Sequence, residues 1–332
     1  MCTLIVLHRC FADRPLVVAA NRDEFTARPA EDFAIRASAK GPILSPLDLE
    51  AGGTWVGVSE RGVFAGLTNL RPLAGSLVED KPASELKSRG DVVMMALESK
   101  SAADAARKAA DLAGAAYNPF QLMVADGRDA FLVVYRDRPE ILELEPGPHI
   151  VGNVEDEDIG KRLGRRDLLT AENDPGVEGV KMSEAYPGFE GLENVVDVFR
   201  GPQASEPRAL KLTRIRSRVE KMITEPSFDL FDGLARICRE HMGSEGIDSP
   251  FEATCVHIAE SSLGAEGEAP PDRYGTRSSL LLELSEDEGS SRLWTTDGPP
   301  CMRPFENRSD LLKDLGVRLG GEAGPNDARK NP

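Results

Sequence analysis

The chain opens on a run, Thr3-Leu4-Ile5-Val6-Leu7, that shows no polar alternation before His8-Arg9. A strand apolar on both faces must be covered on both sides, so the N-terminus is predicted to form a central strand of a sheet rather than a surface one. Leu16–Ala20 is a second β-rich run, reached through Phe11-Ala12-Asp13-Arg14-Pro15, which reads as a turn. A hairpin centred between Ala12 and Asp13 sets Cys2 opposite Asp23 and Leu4 opposite Asn21. A one-residue slip sets Arg22 opposite Cys2 instead and changes which side chains share its face. In either register Asn21-Arg22-Asp23-Glu24 lands beside the N-terminus.

Cys2 gives that placement chemical meaning. It is small enough for the initiator Met to be removed in front of it, which leaves a thiol and a free α-amine on one residue. The amine, with a reference pKa of roughly 8, can take the thiol proton, so the residue would be a nucleophile carrying its own base.

Composition narrows the class. A length of 332 residues, 40% hydrophobic, supports a sizeable core. The net charge of −16 disfavours phosphate backbones and anionic lipid as partners. Cys2, Cys10, Cys238, Cys255 and Cys301 are an odd set without a CxxC pair or clustered His, which argues for reduced thiols and against a structural zinc site. With no signal peptide and no run long enough to span a bilayer, a soluble cytoplasmic protein is the default expectation.

Further along, Ala51–Val58 and Val63–Asn69 turn about Arg61-Gly62 and would place Asn69 beside Thr54. Val92–Ser99 and Ala102–Ala113 read as helices. Gln121–Ala125 with Ala130–Tyr135 reads as a hairpin, and so does Ile141–Leu144 with His149–Val154. Ile159–Glu172, Leu192–Phe199 and Phe228–Met242 are helical, the last with Phe228, Phe231, Leu234, Ala235 and Cys238 on one face. Thr254–Ile258, Ser278–Leu284 and Arg292–Thr296 read as late strands. Strands, then helices, then strands argue for one α+β domain over 1–319, with a layered antiparallel core and a disordered tail over 320–332.

The ordered set Met1-Cys2, Asn21-Arg22-Asp23-Glu24-Phe25, Gly52-Gly53-Thr54-Trp55-Val56-Gly57-Val58, Leu67-Thr68-Asn69, Gly152-Asn153 and Tyr274-Gly275-Thr276-Arg277-Ser278-Ser279 resembles the NRDE family, also called the transport-and-Golgi-organisation protein 2 family. That family is similar to the N-terminal nucleophile (Ntn) hydrolases of the choloylglycine-hydrolase and penicillin-acylase type. The resemblance implies a four-layer αββα sandwich with the nucleophile between two stacked antiparallel sheets. It implies Cys2 as nucleophile, Asn69 as oxyanion donor, Asn153 as a second Asn orienting the amine or the substrate, and Arg277 as a site cation. Arg22 and Asp23 correspond less securely, and which of them touches the amine stays open. Asn21, Trp55 and Thr68 are the expected substrate contacts.

A thiolate attacking an amide or thioester needs a base, an oxyanion donor and a nearby cation, and these residue types supply all three. The expected function is therefore a cysteine hydrolase or acyltransferase acting on an amide or thioester bond of a small acyl-bearing substrate, with no cofactor required. The competing expectation, carried by the resemblance alone, is a carrier or chaperone for haem or an acyl lipid. His8, His149, His241 and His257 have no partner spacing for a metal, and no CxxCH motif is present.

Overall fold

The computed structural model describes residues 2–73, 75–79, 81–155, 157–163, 205–225, 229–259, 272–287 and 289–319. Residues 164–172 of the expected helix Ile159–Glu172, the expected helix Leu192–Phe199, Phe228 and the tail from Gly320 lie outside them.

Two seven-stranded sheets form the centre, with antiparallel pairing at every ladder. The first runs β10 (Gly147–Val151), β1 (Cys2–His8), β2 (Leu16–Phe25), β12 (Asp272–Leu284), β13 (Arg292–Asp297) and β14 (Glu306–Asn307), with β11 (His257–Ala259) also on β12. The second runs in chain order through β3 (Ala30–Arg36), β4 (Ile43–Asp48), β5 (Val56–Ser59), β6 (Phe64–Asn69), β7 (Phe120–Ala125), β8 (Ala130–Tyr135) and β9 (Pro139–Glu143).

The alternation of β1 and β2 explains the layering. Leu4, Val6, Leu16, Val18 and Ala20 point one way and meet Val56, Val58, Phe64, Met123 and Val134 of the other sheet in a core between the sheets. Ile5, Leu7, Val17 and Ala19 point the other way, onto α4 (Ser205–Thr224) and α5 (Leu230–Arg239). The outer face of the second sheet is covered by α1 (Arg89–Leu97) and α2 (Ala102–Ala110). The short helices α3 (Glu157–Arg162) and α6 (Ser309–Leu315) complete the described elements, Leu312 and Leu315 of α6 joining the core between the sheets. The result is the expected αββα sandwich, with β1 covered on both faces.

Four local expectations are corrected. The first hairpin adopts the slipped register, pairing Cys2 with Arg22 and Thr3 with Asn21, because it closes from Arg9 N–H to the Pro15 carbonyl at 2.7 Å. The second closes on a three-residue loop ending at Gly62, whose φ of +73° suits glycine. That odd count pairs Val56 with Gly66 and leaves Asn69 opposite Phe120 rather than Thr54. The supposed hairpin of Ile141–Leu144 and His149–Val154 is a crossover: β9 pairs β8, whereas β10 pairs β1 in the other sheet. Finally, β3, β4 and a 20-residue helix, α4, occupy stretches to which the sequence pattern assigns no element.

Candidate active site

β1 ends its N-terminal side at the mouth between the sheets. There the Cys2 backbone nitrogen donates to Asn153 Oδ1 at 3.0 Å, and Asn153 Nδ2 donates to the Asn69 carbonyl at 2.7 Å. Asn153 follows β10, paired to β1, and Asn69 ends β6 in the other sheet, so one side chain ties the nucleophile strand to both layers. Gly152 beside it admits Leu212 of α4, since a Cβ there would lie 2.8 Å from a Leu212 methyl.

Arg22 stands across from Cys2 on the same sheet face. Its guanidinium lies 3.9 Å from the Trp55 ring centroid and 3.4 Å from Asp48 Oδ2. Burial works to raise the Asp48 carboxyl, but the Arg28 hydrogen bond at 2.7 Å and the Arg28 and Arg22 charges together hold it below the usual carboxylate range. Cys2, Arg22, Trp55, Phe33, Leu67 and Ser278 line a cleft with about 10 Å³ of water-accessible space. That is room for about one water.

Asp23 points through the sheet to the other side. Its Oδ1 accepts from Thr276 Oγ1 at 2.6 Å and its carbonyl from Tyr274 at 2.9 Å, while its backbone N–H reaches toward the Cys2 sulfur. Burial pushes the Asp23 carboxyl up; the positive amino terminus and Lys211 pull against it. Burial also pushes the Cys2 thiol up, opposed by the amino terminus and Arg22 and reinforced by Asp23. A thiol held in its neutral form needs a base to react.

The remaining expected residues divide. Trp55 is at the cleft. Thr68 is buried, and its Oγ1 has no hydrogen-bond partner among the described residues. Asn21, expected at the substrate, is among the residues lining the cleft, while its side-chain amide is engaged on the helix side, donating to the Cys238 and Thr254 carbonyls and accepting from Ser279. Arg277, expected as the cation at the thiol, occupies a bulge in β12 and donates to the Thr26 carbonyl. The bulge turns its side chain out of the register that Ser278 shares with Arg22, so Arg22 is the cation facing Cys2 in the ladder.

Lys211 was missed. It is 2% exposed, its charge interacts with Asp23 and Cys2, and burial pushes its ammonium pKa down. The signal was present: Lys211 is in step with Ile215, Val219 and Met222 on the apolar stripe of α4, where a charge needs a reason. Separately, Cys255, His257 and Cys301 converge, which corrects the reading that no histidine has cysteine partners.

The family model for Transport and Golgi organisation 2 matches residues 1–292. The chain belongs to the Transport and Golgi organisation 2 family. The mouse Transport and Golgi organization 2 homolog is 32% identical over 204 residues, covering 58% of this chain and 67% of that protein. The human homolog is 30% identical over the same coverage. Among solved structures, an arginine-to-leucine variant of the conjugated bile acid hydrolase from Clostridium perfringens superposes with a TM-score of 0.50 at 12% identity, covering 97% of this chain and 99% of that one. At that identity the likeness shows the fold, an Ntn-hydrolase sandwich, and nothing of the substrate. Within the Transport and Golgi organisation 2 match fall Cys2, Asn69, Asn153 and the Arg22–Trp55 pair.

Proposed function

We propose that this protein is an N-terminal-cysteine hydrolase or acyltransferase acting on an amide or thioester bond of a small acyl-bearing substrate. The observation that carries the reading is the Cys2 nitrogen held at 3.0 Å by Asn153 Oδ1 at the mouth between the sheets. Once Met1 is removed, that nitrogen is the α-amine, which donates one N–H to Asn153 Oδ1 while its lone pair is available to the thiol.

In the proposed reaction the amine takes the thiol proton and sulfur attacks the carbonyl carbon. The Asn69 side-chain amide is the proposed oxyanion donor, a contribution worth on the order of 3 kcal/mol where measured in other hydrolases. Collapse breaks the C–N or C–S bond, and the proton passes from the amine to the leaving group. Water, or an acceptor nucleophile, then attacks the Cys2 thioester, gives its proton to the same amine and restores the thiol.

A carrier for haem or lipid has less support. Its ligand would need a pocket of about 300–1,000 Å³; among the described residues the cleft at Cys2 offers roughly 10 Å³, and the hollow of about 480 Å³ lined by Arg9, Cys10, Phe11 and Arg128 lies past the other end of β1. An acyl substrate presenting only its carbonyl to the cleft needs a smaller opening.

Intact mass and a Cys2→Ser variant test the proposal. The mature chain is expected to begin at Cys2, and Cys2→Ser to lose turnover of acyl-amide and acyl-thioester probes. Retained Met1, or equal turnover in variant and wild type, would sink the mechanism.

A further inference from the structure

Behind the nucleophile, a second cluster stands apart from the proposed chemistry. Cys255 Sγ lies 3.4 Å from His257 Nε2 and 3.5 Å from Cys301 Sγ, and His257 Nε2 lies 3.1 Å from Cys301 Sγ. Cys255 is fully buried, while His257 and Cys301 are half-buried, so the triangle has one closed side and one side open to solvent. A tetrahedral Zn²⁺ with Zn–S of about 2.3 Å and Zn–N of about 2.0–2.1 Å sets its S–S edge at about 3.8 Å and its S–N edges at about 3.6 Å. The observed edges are shorter by a few tenths of an ångström, within reach of small side-chain rotations.

Besides these mutual contacts, backbone bonds hold the segments that carry the three residues. The Cys255 N–H donates to the Glu240 carbonyl at 2.7 Å, at the end of α5. His257 is the first residue of β11, paired to Gly275. Cys301 sits in the turn after β13, whose neighbour Pro300 accepts from Arg239 at 3.2 Å. A Cβ on Gly275 would come within 2.6 Å of the Val256 carbonyl, so glycine there lets the 254–257 segment lie close enough to form the triangle.

The geometry points to a binding site for a thiophilic d¹⁰ cation, Zn²⁺, held by Cys255 and Cys301 thiolates and His257 Nε2 with a fourth position for water. Binding releases the two thiol protons to solvent and leaves the two thiolates and the dication neutral in sum, which suits a site with one buried wall. The ion would brace the wall of the candidate active site, because the neighbouring Thr254 carbonyl holds Asn21 and the Val256 N–H holds Thr276 Oγ1, itself bonded to Asp23.

The test uses the reduced, chelator-stripped full chain titrated with Co²⁺ and then Zn²⁺. One equivalent of Co²⁺ is expected to produce a thiolate-to-metal charge-transfer band and tetrahedral ligand-field bands that Zn²⁺ abolishes, and Zn²⁺ to raise the melting temperature. Cys301→Ser is expected to lose the charge-transfer band, and Cys2→Ser and Cys10→Ser to keep it. Should the metal-free Cys301→Ser chain melt below the metal-free wild type, His257→Gln serves in its place. A band that survives both variants, no band at one equivalent, or a Cys255–Cys301 disulfide that forms on mild oxidation at the same rate with and without Zn²⁺ would overturn the assignment.

Discussion

Replacing Asn153 by alanine separates support of the nucleophile from support of the fold. The side chain accepts from the Cys2 nitrogen at 3.0 Å and donates to the Asn69 carbonyl at 2.7 Å. Each bond contributes about 0.5–1.5 kcal/mol net, so losing both costs about 2 kcal/mol. For a domain of this size that lowers the melting temperature by about 4 °C. Releasing the α-nitrogen removes about 1.4 kcal/mol of orientation, equivalent to about tenfold in rate. Alkylation of Cys2 by iodoacetamide, followed by intact mass at a temperature where both proteins are folded, reads that factor without a known substrate. Asn153→Asp keeps an oxygen toward the nitrogen and loses the donor to Asn69, so it should retain more reactivity than alanine at a similar loss of stability. If Asn153→Ala melts about 4 °C lower yet labels Cys2 at the wild-type rate, Asn153 is a strut between the sheets and the orienting role fails.

Trp55→Ala removes the ring 3.9 Å from the Arg22 guanidinium, a contact worth about 0.5–2 kcal/mol. Bulky thiol reagents should then reach Cys2 faster relative to iodoacetamide, and an unchanged ratio would show that the pair does not cover the cleft. Gly90→Ala puts a Cβ 3.0 Å from the Gly53 Cα, where backbone faces backbone and neither can rotate away. A loss of about 1–3 kcal/mol in denaturant unfolding is expected, and a neutral result would mean that α1 shifts freely on the second sheet. Burial holds the His8 imidazole below its ordinary pKa. The unfolded chain therefore takes up the proton first as pH falls below about 6.5, and stability falls with it toward the folded-state pKa. His8→Leu should flatten that part of the stability profile, measured by urea midpoints across it.

How legible the fold was depended on how local its signals were. The double-faced apolar strand Leu4–Leu7 and the stripe of Phe231, Leu234, Ala235 and Cys238 announced a sheet covered by helices, and both are buried as expected. β3 and β4 were not legible. Glu31 and Asp32 are exposed on an edge strand, and Pro46 stands inside β4 near an irregularity between Glu31 and Ala34. Proline at such a place loses no ladder bond that the fold requires. The polar residues of the motifs were legible as a group but not one by one. Asn21 and Asp23 share a face opposite to Cys2, and only a one-residue change of register decides which of Arg22 and Asp23 lies beside the thiol.

By itself the sequence determined the layers, because alternation along β1 and β2 and the stripes on the helices state which faces must leave water. It also brought Asn21–Glu24 to the N-terminus, since a hairpin so short permits few registers. Tertiary structure decided the rest. The crossover from β9 to β10 carries Asn153 to Cys2, a bulge turns Arg277 away, α4 buries Lys211 behind the site, and the pairing of β12 with β11 and β13 gathers Cys255, His257 and Cys301. Such placements rest on hydrogen-bond register between segments far apart in the chain, and local residue pattern has no means of setting them.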